Sequence, residues 1–330
     1  MSSGTPTTHR LALASRWQPW EVALWVAALA APAVLSSHAA VISEIAIFAL
    51  FAISLDLILG LAGVVSLGHA AFFGLSAYAS ALFAKHVHQD PLVGLALGMT
   101  VSAALGYLCS FTVHRGTDLT RVMMTLGVAL MLLELANKLD HITGGADGLQ
   151  GVTIAPVLGY FEFDLAGRTA AYYSLTVLFL CFLFTRRILH SPFGVALKAI
   201  RDNSLRATAV GIPVRSRITV VYTVSAGLAG AAGALLAQTT AFASLDVFEF
   251  HRSADVLLML VVGGAGWLYG GVLGAVVFKG LHSLLAGLTP QYWTFWMGLF
   301  LVVLVLVGRD RLVRMARSGR LRKEPMDRSR

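Results

Sequence analysis

Seventeen acids, 25 lysines and arginines, and ten histidines are what this 330-residue chain has for ionic or metal chemistry. Their spacing withholds the common sites. A P-loop needs Gly-Lys-Ser/Thr, whose backbone amides and lysine hold nucleotide phosphates. The five lysines, Lys85, Lys138, Lys198, Lys279 and Lys323, follow Ala, Asn, Leu, Phe and Arg, so there is no Walker A motif. No histidine precedes a glutamate, which removes the His-Glu-x-x-His zinc proteases. Only His69 lies well within an apolar segment, which leaves no histidine pair for haem. Cys109 and Cys181 stand singly in apolar runs and read as small core residues, not as a disulfide or a metal pair. No catalytic residue, cofactor or metal is expected. The chain borrows energy or needs none.

What remains is a sparse set of polar groups inside apolar segments: Asp56, Glu134 and Lys279, with Glu44, Asn137 and Asp255 near segment boundaries. A charge at the centre of a membrane helix costs roughly 2.5–3.5 kcal/mol on insertion scales, so such residues face a cavity or a partner. The set is too thin for the relay of a proton- or sodium-coupled carrier. Asp56 reads either as a structural hydrogen-bond partner or as a path-lining group. Glu134 and Asn137 lie one helical turn apart and share a side. Lys279 reads as structural. His69 either caps unwound backbone or touches a solute, with capping preferred. Asp56, Ser66, His69, Glu134 and Asn137 are the candidates for a substrate path.

The elements that must position these groups follow from composition. Hydrophobic residues make up 57% of the chain, charged residues 13%, and the mean hydropathy is +0.76. Soluble domains carry about 25% charged residues. A polytopic, all-α membrane protein is the reading, and a soluble enzyme or a disordered chain is excluded. Since a span needs about 20 apolar residues, the windows 20–36, 41–60, 67–84, 92–113, 119–137, 169–185, 218–240, 254–266, 270–287 and 292–308 predict eight to ten transmembrane helices. The first run, after Arg10 and Arg16, could pass for a signal peptide. Because further spans follow at once, it is read as an uncleaved helix.

Two glycine-rich stretches interrupt the apolar runs. The first runs from Gly60 to Gly74 through Gly63, Ser66, Gly68 and His69, and the second from Gly263 to Gly274 through Gly264 and Gly266. Paired interruptions in two halves of a chain point to a broken-helix substrate path. Small-residue helix packing is the other reading. Gly63, Gly68, Gly263, Gly264 and Gly266 are therefore candidate hinges.

The net charge is +8, and its placement matters more than its size. Sixteen of the 25 basic residues lie in two stretches, Arg186 to Arg217 and Arg309 to Arg330, both flanking apolar runs. Positive charge near membrane ends marks the cytoplasmic side. Loops 114–118 and 186–217, the tail and the N-terminus are accordingly placed inside, and the loop 138–168 outside. Its glycine-rich part, Gly144, Gly145, Asp147 and Gly148, is a candidate receptor contact or outer gate, or a plain surface turn. No aromatic platform interleaves the basic tail, so no nucleic acid partner is expected. The chain divides into a cytoplasmic segment 1–19, a membrane domain 20–308 containing the loop 186–217, and a basic tail 309–330.

Within that loop, residues 191–213 predict a short helix with apolar positions Val195, Leu197 and Ile200, followed by Leu205 and Val210, and with a basic opposite face. Such a helix either lies on the lipid surface or seats in a groove of another protein.

Five stretches resemble the branched-chain amino acid permeases of binding-protein-dependent ABC importers. They are Gly63-Val-Val-Ser-Leu-Gly-His-Ala-Ala-Phe-Phe-Gly74, Ile142-Thr-Gly-Gly-Ala-Asp-Gly-Leu149, Ser191-Pro-Phe-Gly194 through Gly211, Ser225-Ala-Gly-Leu-Ala-Gly-Ala-Ala-Gly-Ala234, and Leu257-Leu-Met-Leu-Val-Val-Gly-Gly-Ala-Gly266. The resemblance covers about residues 41 to 308, with all five stretches in order. It implies an inner-membrane permease with a cytoplasmic coupling helix, carrying Lys198, Arg201, Arg206, Ala207 and Gly211 toward the ATPase. It also implies two ATP-binding cassette subunits, a second homologous permease, a periplasmic solute-binding protein and surrounding lipid. The family often has an acid where Ser204 stands and a small residue at Arg206, which leaves this coupling loop unusually basic. Branched-chain amino acids are the implied solutes, with urea, short amides or aromatic acids as alternatives. A stand-alone secondary transporter, a channel or a structural scaffold are the competing classes.

Overall fold

The computed structural model describes residues 18–113, 118–164 and 166–307. Most of the expected cytoplasmic segment, most of the loop 114–118 and the basic tail lie outside the described residues. The described chain is all-helical apart from turns, short 3-10 turns and two isolated β-bridges.

Each of the ten apolar windows carries a helix. They are α1 (Pro19–Val34), α2 (Ala39–Ala62), α3 (Ala70–His86), α4 (Pro91–Val113) and α5 (Asp118–Lys138), then α7 (Arg168–Leu189), α10 (Val214–Thr240), α11 (Phe250–Gly263), α12 (Leu268–Leu288) and α13 (Trp293–Val307). Between them lie the one-turn α6 (Asp140–Thr143) and the surface pair α8 (Pro192–Asp202) and α9 (Ser204–Ala209). Six of the described helices, α2, α4, α5, α7, α10 and α12, are long and apolar enough to cross a membrane. The expected eight to ten is thus not reached on length and composition. The glycine interruptions are part of the reason: residues 63–69 and 264–267 leave the helical path and shorten α3 and α11.

A helix that is apolar all round has no face for water or lipid to prefer, and it goes to the centre. α2 does so, with Phe48, Leu50, Phe51, Ile53, Leu55 and Ile58 all fully buried. α10 is its central partner, through Ala226 to Ala234, a run of Ala, Gly and one Leu. Small side chains let backbones approach closely, which is how helices associate where no hydrophobic drive exists. The matching surface is on α4, where Gly94, Gly98, Ser102, Gly106 and Ser110 recur every fourth residue and are all buried. A Cβ added at Gly106 would strike the Ala226 side chain, and one at Gly230 would meet Ser102. Buried hydroxyls and an amide lock the bundle: Ser76 donates to the Gly230 carbonyl at 2.5 Å, and Ser102 to that of Phe72 at 2.7 Å. Gln238 donates to the Pro91 carbonyl at 2.8 Å and accepts from Tyr173 at 2.9 Å.

Contacts sort the helix ends into two sides. At one end Arg186 of α7 pairs with Glu21 of α1 at 2.8 Å and reaches the Tyr269 hydroxyl at the start of α12. Trp20 packs on Trp267 and Tyr269 there as well. At the opposite end Leu149 donates to the Ala243 carbonyl at 2.7 Å, Ala155 to that of Gln89, and Lys85 to that of Gln150. The surface pair α8–α9 belongs to the first end and the loop 138–168 to the second.

Candidate functional site

The stretch 191–213 folds as two helices, not the single short one expected. Ser191 caps α8 by accepting from the Gly194 amide, and Pro192 opens the helix. Asn203 breaks it in extended backbone and caps α9 by accepting from the Arg206 amide at 2.8 Å. Gly211, at φ 90°, closes α9 with its amide on the Thr208 carbonyl. Leu197, Ile200 and Ala207 turn into the bundle and are buried. Lys198, Arg206, Gly211, Leu205 and Val210 face outward, with Leu205 83% and Val210 78% exposed. The pair is a two-sided element, anchored by three small or aliphatic residues and presenting a basic, apolar outer surface.

Arg201 ties this element to both glycine interruptions. Its Nη1 donates to the Gly60 carbonyl at 2.5 Å, at the end of α2. A Cβ on Gly63 would lie 2.8 Å from Arg201 Cγ, and one on Gly266 3.2 Å from its Nη1. Asp56 completes the knot by accepting from the Gly266 amide at 2.6 Å. The second interruption is therefore held against α2 by a carboxylate 210 residues earlier in the chain, and the surface helix holds the same spot from outside. Beside it opens a cleft of about 1090 Å³, lined by Gly63, Val64, Arg121, Arg201, Arg215 and the rim of α9, with no acid among the described lining residues.

The glycines divide between two jobs. Gly63, Gly264 and Gly266 have φ of 70°, 99° and 80°, backbone that side-chain-bearing residues rarely adopt. Gly68 and Gly263 instead permit backbone contact, the first against the Thr125 carbonyl and the second against that of Gly270.

The expected path residues do not form one cluster. His69 is fully buried, its Nε2 3.0 Å from Ser54 Oγ and its ring stacked on Phe51. Ser225 joins the same knot through the Ser54 carbonyl at 2.5 Å. Ser66 is buried beside the Tyr222 hydroxyl. Glu134 and Asn137 are exposed on α5, Glu134 in a loose pair with Lys138 at 3.6 Å. At the opposite end of the bundle Gly144, Gly145 and Gly148 have φ of 79°, 54° and 73°, and Gly148 packs under Phe242 and the Ala243 carbonyl. Asp147 projects from that folded turn, exposed.

Sequence reading missed a charged array around Phe48. Arg252 lies over one part of the ring at 5.6 Å and Lys279 over it at 3.8 Å. Lys279 bonds Glu44 at 2.6 Å, and Arg252 bonds Asp246. His251 bridges Asp246 at 3.0 Å and Glu249 at 2.9 Å. Asp246, Glu249 and His251 bring ligand atoms within 4.8 Å of one another, a spacing a metal ion could span, but all three are already paired within the array. Lys279 and Glu44 stood out in the sequence as charges in or beside apolar segments, but Asp246, Glu249, His251 and Arg252 carried no signal readable without the fold.

The family model described as the branched-chain amino acid transport system permease component matches residues 37–308. The high-affinity branched-chain amino acid transport system permease protein LivM of Salmonella typhimurium is 29% identical over 90% of this chain and 75% of its own length. LivM of Escherichia coli is 27% identical over the same shares. A fructose import permease, FruG of Bifidobacterium longum, is 27% identical over 44% of each chain. No solved structure matches the chain at a significant level.

Proposed function

Since the chain belongs to the branched-chain amino acid transport permease family, we propose that it is the transmembrane permease subunit of an ATP-driven importer for branched-chain or similar amino acids. In this reading it is an inner-membrane protein of eight to ten spans with both termini cytoplasmic, and its membrane domain runs over 20–308. Two ATP-binding cassette subunits sit on the cytoplasmic side, one of them docked on α8–α9, a second homologous permease completes the path, and a periplasmic solute-binding protein delivers solute near Asp147. Glu134 and Asn137 face that path. Asp56, Ser66 and His69 hold its broken helices in place.

The observation that carries the reading is the position of Arg201. One residue on a surface helix bonds the carbonyl end of α2 and lies beside Gly266 in the turn between α11 and α12. A push on the outer face of α8 thus acts directly on the two segments where helical order is interrupted. Packed cores switch between discrete arrangements and do not deform continuously, so a rigid helix pair seated on two such segments can shift the whole path. Energy enters from the neighbour, which fits a chain without a nucleotide site.

Leu205 tests the docking surface. It is 83% exposed, so Leu205→Asp should leave the fold within roughly 0.5 kcal/mol of the parent. An interface anchor is worth about 2 kcal/mol or more, roughly a thirtyfold weaker complex. The expected result is a variant that inserts normally but no longer co-purifies with its ATPase subunits. Retention of both subunits at parental yield would remove α9 from the docking surface.

A further inference from the structure

The charged array around Phe48 sits at a depth where lipid would not tolerate it. Phe48 is nine residues from the start of α2, and Lys279 nine from the end of α12. At 1.5 Å per residue each lies about 14 Å along its helix from that end of the bundle. Arg252 shares the Phe48 ring, and Asp246 and His251 follow it by direct contact. Yet the side chains of Asp246, Glu249 and His251 are 36%, 51% and 49% exposed on this chain. Ionisable groups at such depth face a water-filled cavity or a protein partner, not hydrocarbon. α5 packs against the same turn and exposes Glu134 and Asn137. The α4–α7 face is the opposite in chemistry, an apolar groove of Leu92, Leu95, Met99, Tyr172 and Leu180 of the kind that lipid covers.

We propose that the turn 245–252, with Asp246, Glu249, His251 and Arg252, lines the water-filled path shared with the second permease subunit and receives zwitterionic solutes there. This rests on the permease reading above. An ammonium group would compete with His251 for Glu249 and Asp246, and a carboxylate with Asp246 for Arg252, so a passing solute exchanges for contacts the array already makes. Paired opposite charges favour a solute that carries both over one that carries either alone. Water in the path screens the array, so the solute is held briefly and passes on.

The test places a cysteine at Glu249→Cys in the complete transporter and follows its modification by a charged, membrane-impermeant thiosulfonate in spheroplasts. Cys109 and Cys181 are buried and give a low background. Leu180→Cys reports the lipid face, and Asp147→Cys the open outer surface. The expected outcome is rapid modification at 249 and none at 180, with the rate at 249 slowed severalfold by leucine-loaded binding protein while that at 147 in the absence of the receptor sets the unprotected limit. Modification at 249 as slow as at 180 would overturn the proposal. So would rapid modification that leucine-loaded receptor leaves unchanged, since the turn would then be surface and not path. ATP-dependent leucine uptake by spheroplasts carrying the parental transporter is measured alongside, and its loss would point to the importer reading instead.

Discussion

Replacing Arg201 with alanine is expected to abolish most solute uptake while ATP hydrolysis by the assembled transporter continues. The guanidinium bonds the Gly60 carbonyl at 2.5 Å and borders Gly63 and Gly266. Its removal leaves Leu197 and Ile200 seated, so α8 stays on the bundle. What is lost is the guanidinium that bonds the end of α2 and lies beside Gly266 in the second interruption. Coupling between distant sites is typically worth roughly 5- to 150-fold, and uptake should fall by about tenfold or more within that range. Arg201→Lys restores a positive charge but not the planar reach, and should recover only part of the rate. Parental uptake by Arg201→Ala, measured with receptor binding intact, would show that force does not travel through this contact.

Gly274→Ala is expected to be strongly destabilising for the addition of a single methyl group. Alanine favours a helix over glycine by about 0.5–1 kcal/mol, so on propensity alone the change should stabilise. Packing reverses the sign. A Cβ on Gly274 would overlap the Met259 carbonyl, backbone that no side-chain rotation can move aside. Gly263 and Gly270 make equivalent backbone contacts across the same α11–α12 pair. Overpacking typically costs about 1–3 kcal/mol, and three interlocked glycines leave the helices no slack. Gly280→Ala, six residues along the same helix, meets nothing within 4 Å and serves as the control. Thermal unfolding in detergent should show Gly274→Ala well below the parent and Gly280→Ala at or above it. Equal midpoints for the two variants would mean that α11 and α12 are not packed backbone to backbone.

Hydropathy made the helices legible because the signal is local. Each apolar window holds a helix, and the surface element was visible from the alternation of Val195, Leu197 and Ile200 with basic residues. Even its break had a local mark in Asn203, a residue that caps the helix following it. The glycines show where locality ends. Gly263 and Gly264 are neighbours in sequence, yet the first packs against the Gly270 carbonyl and the second turns the chain at φ 99°. Which does which is decided by a helix that begins at Leu268. Polar residues divide the same way. Asp56 was visible as an unusual charge, but its partner, the Gly266 amide, lies 210 residues away. Asp246, His251 and Arg252 carry no local mark of their array, which forms only where the fold brings Phe48 of α2 beneath Arg252.

If the proposed function is right, this chain conducts solute only when a nucleotide-hydrolysing neighbour works on α8–α9. Uptake of radiolabelled leucine into proteoliposomes, with binding protein outside and ATP inside, tests it most directly. The complete transporter should accumulate leucine, and the permease pair without its ATPase subunits should accumulate none under an imposed proton or sodium gradient. Accumulation against a gradient by the permeases alone would contradict the account.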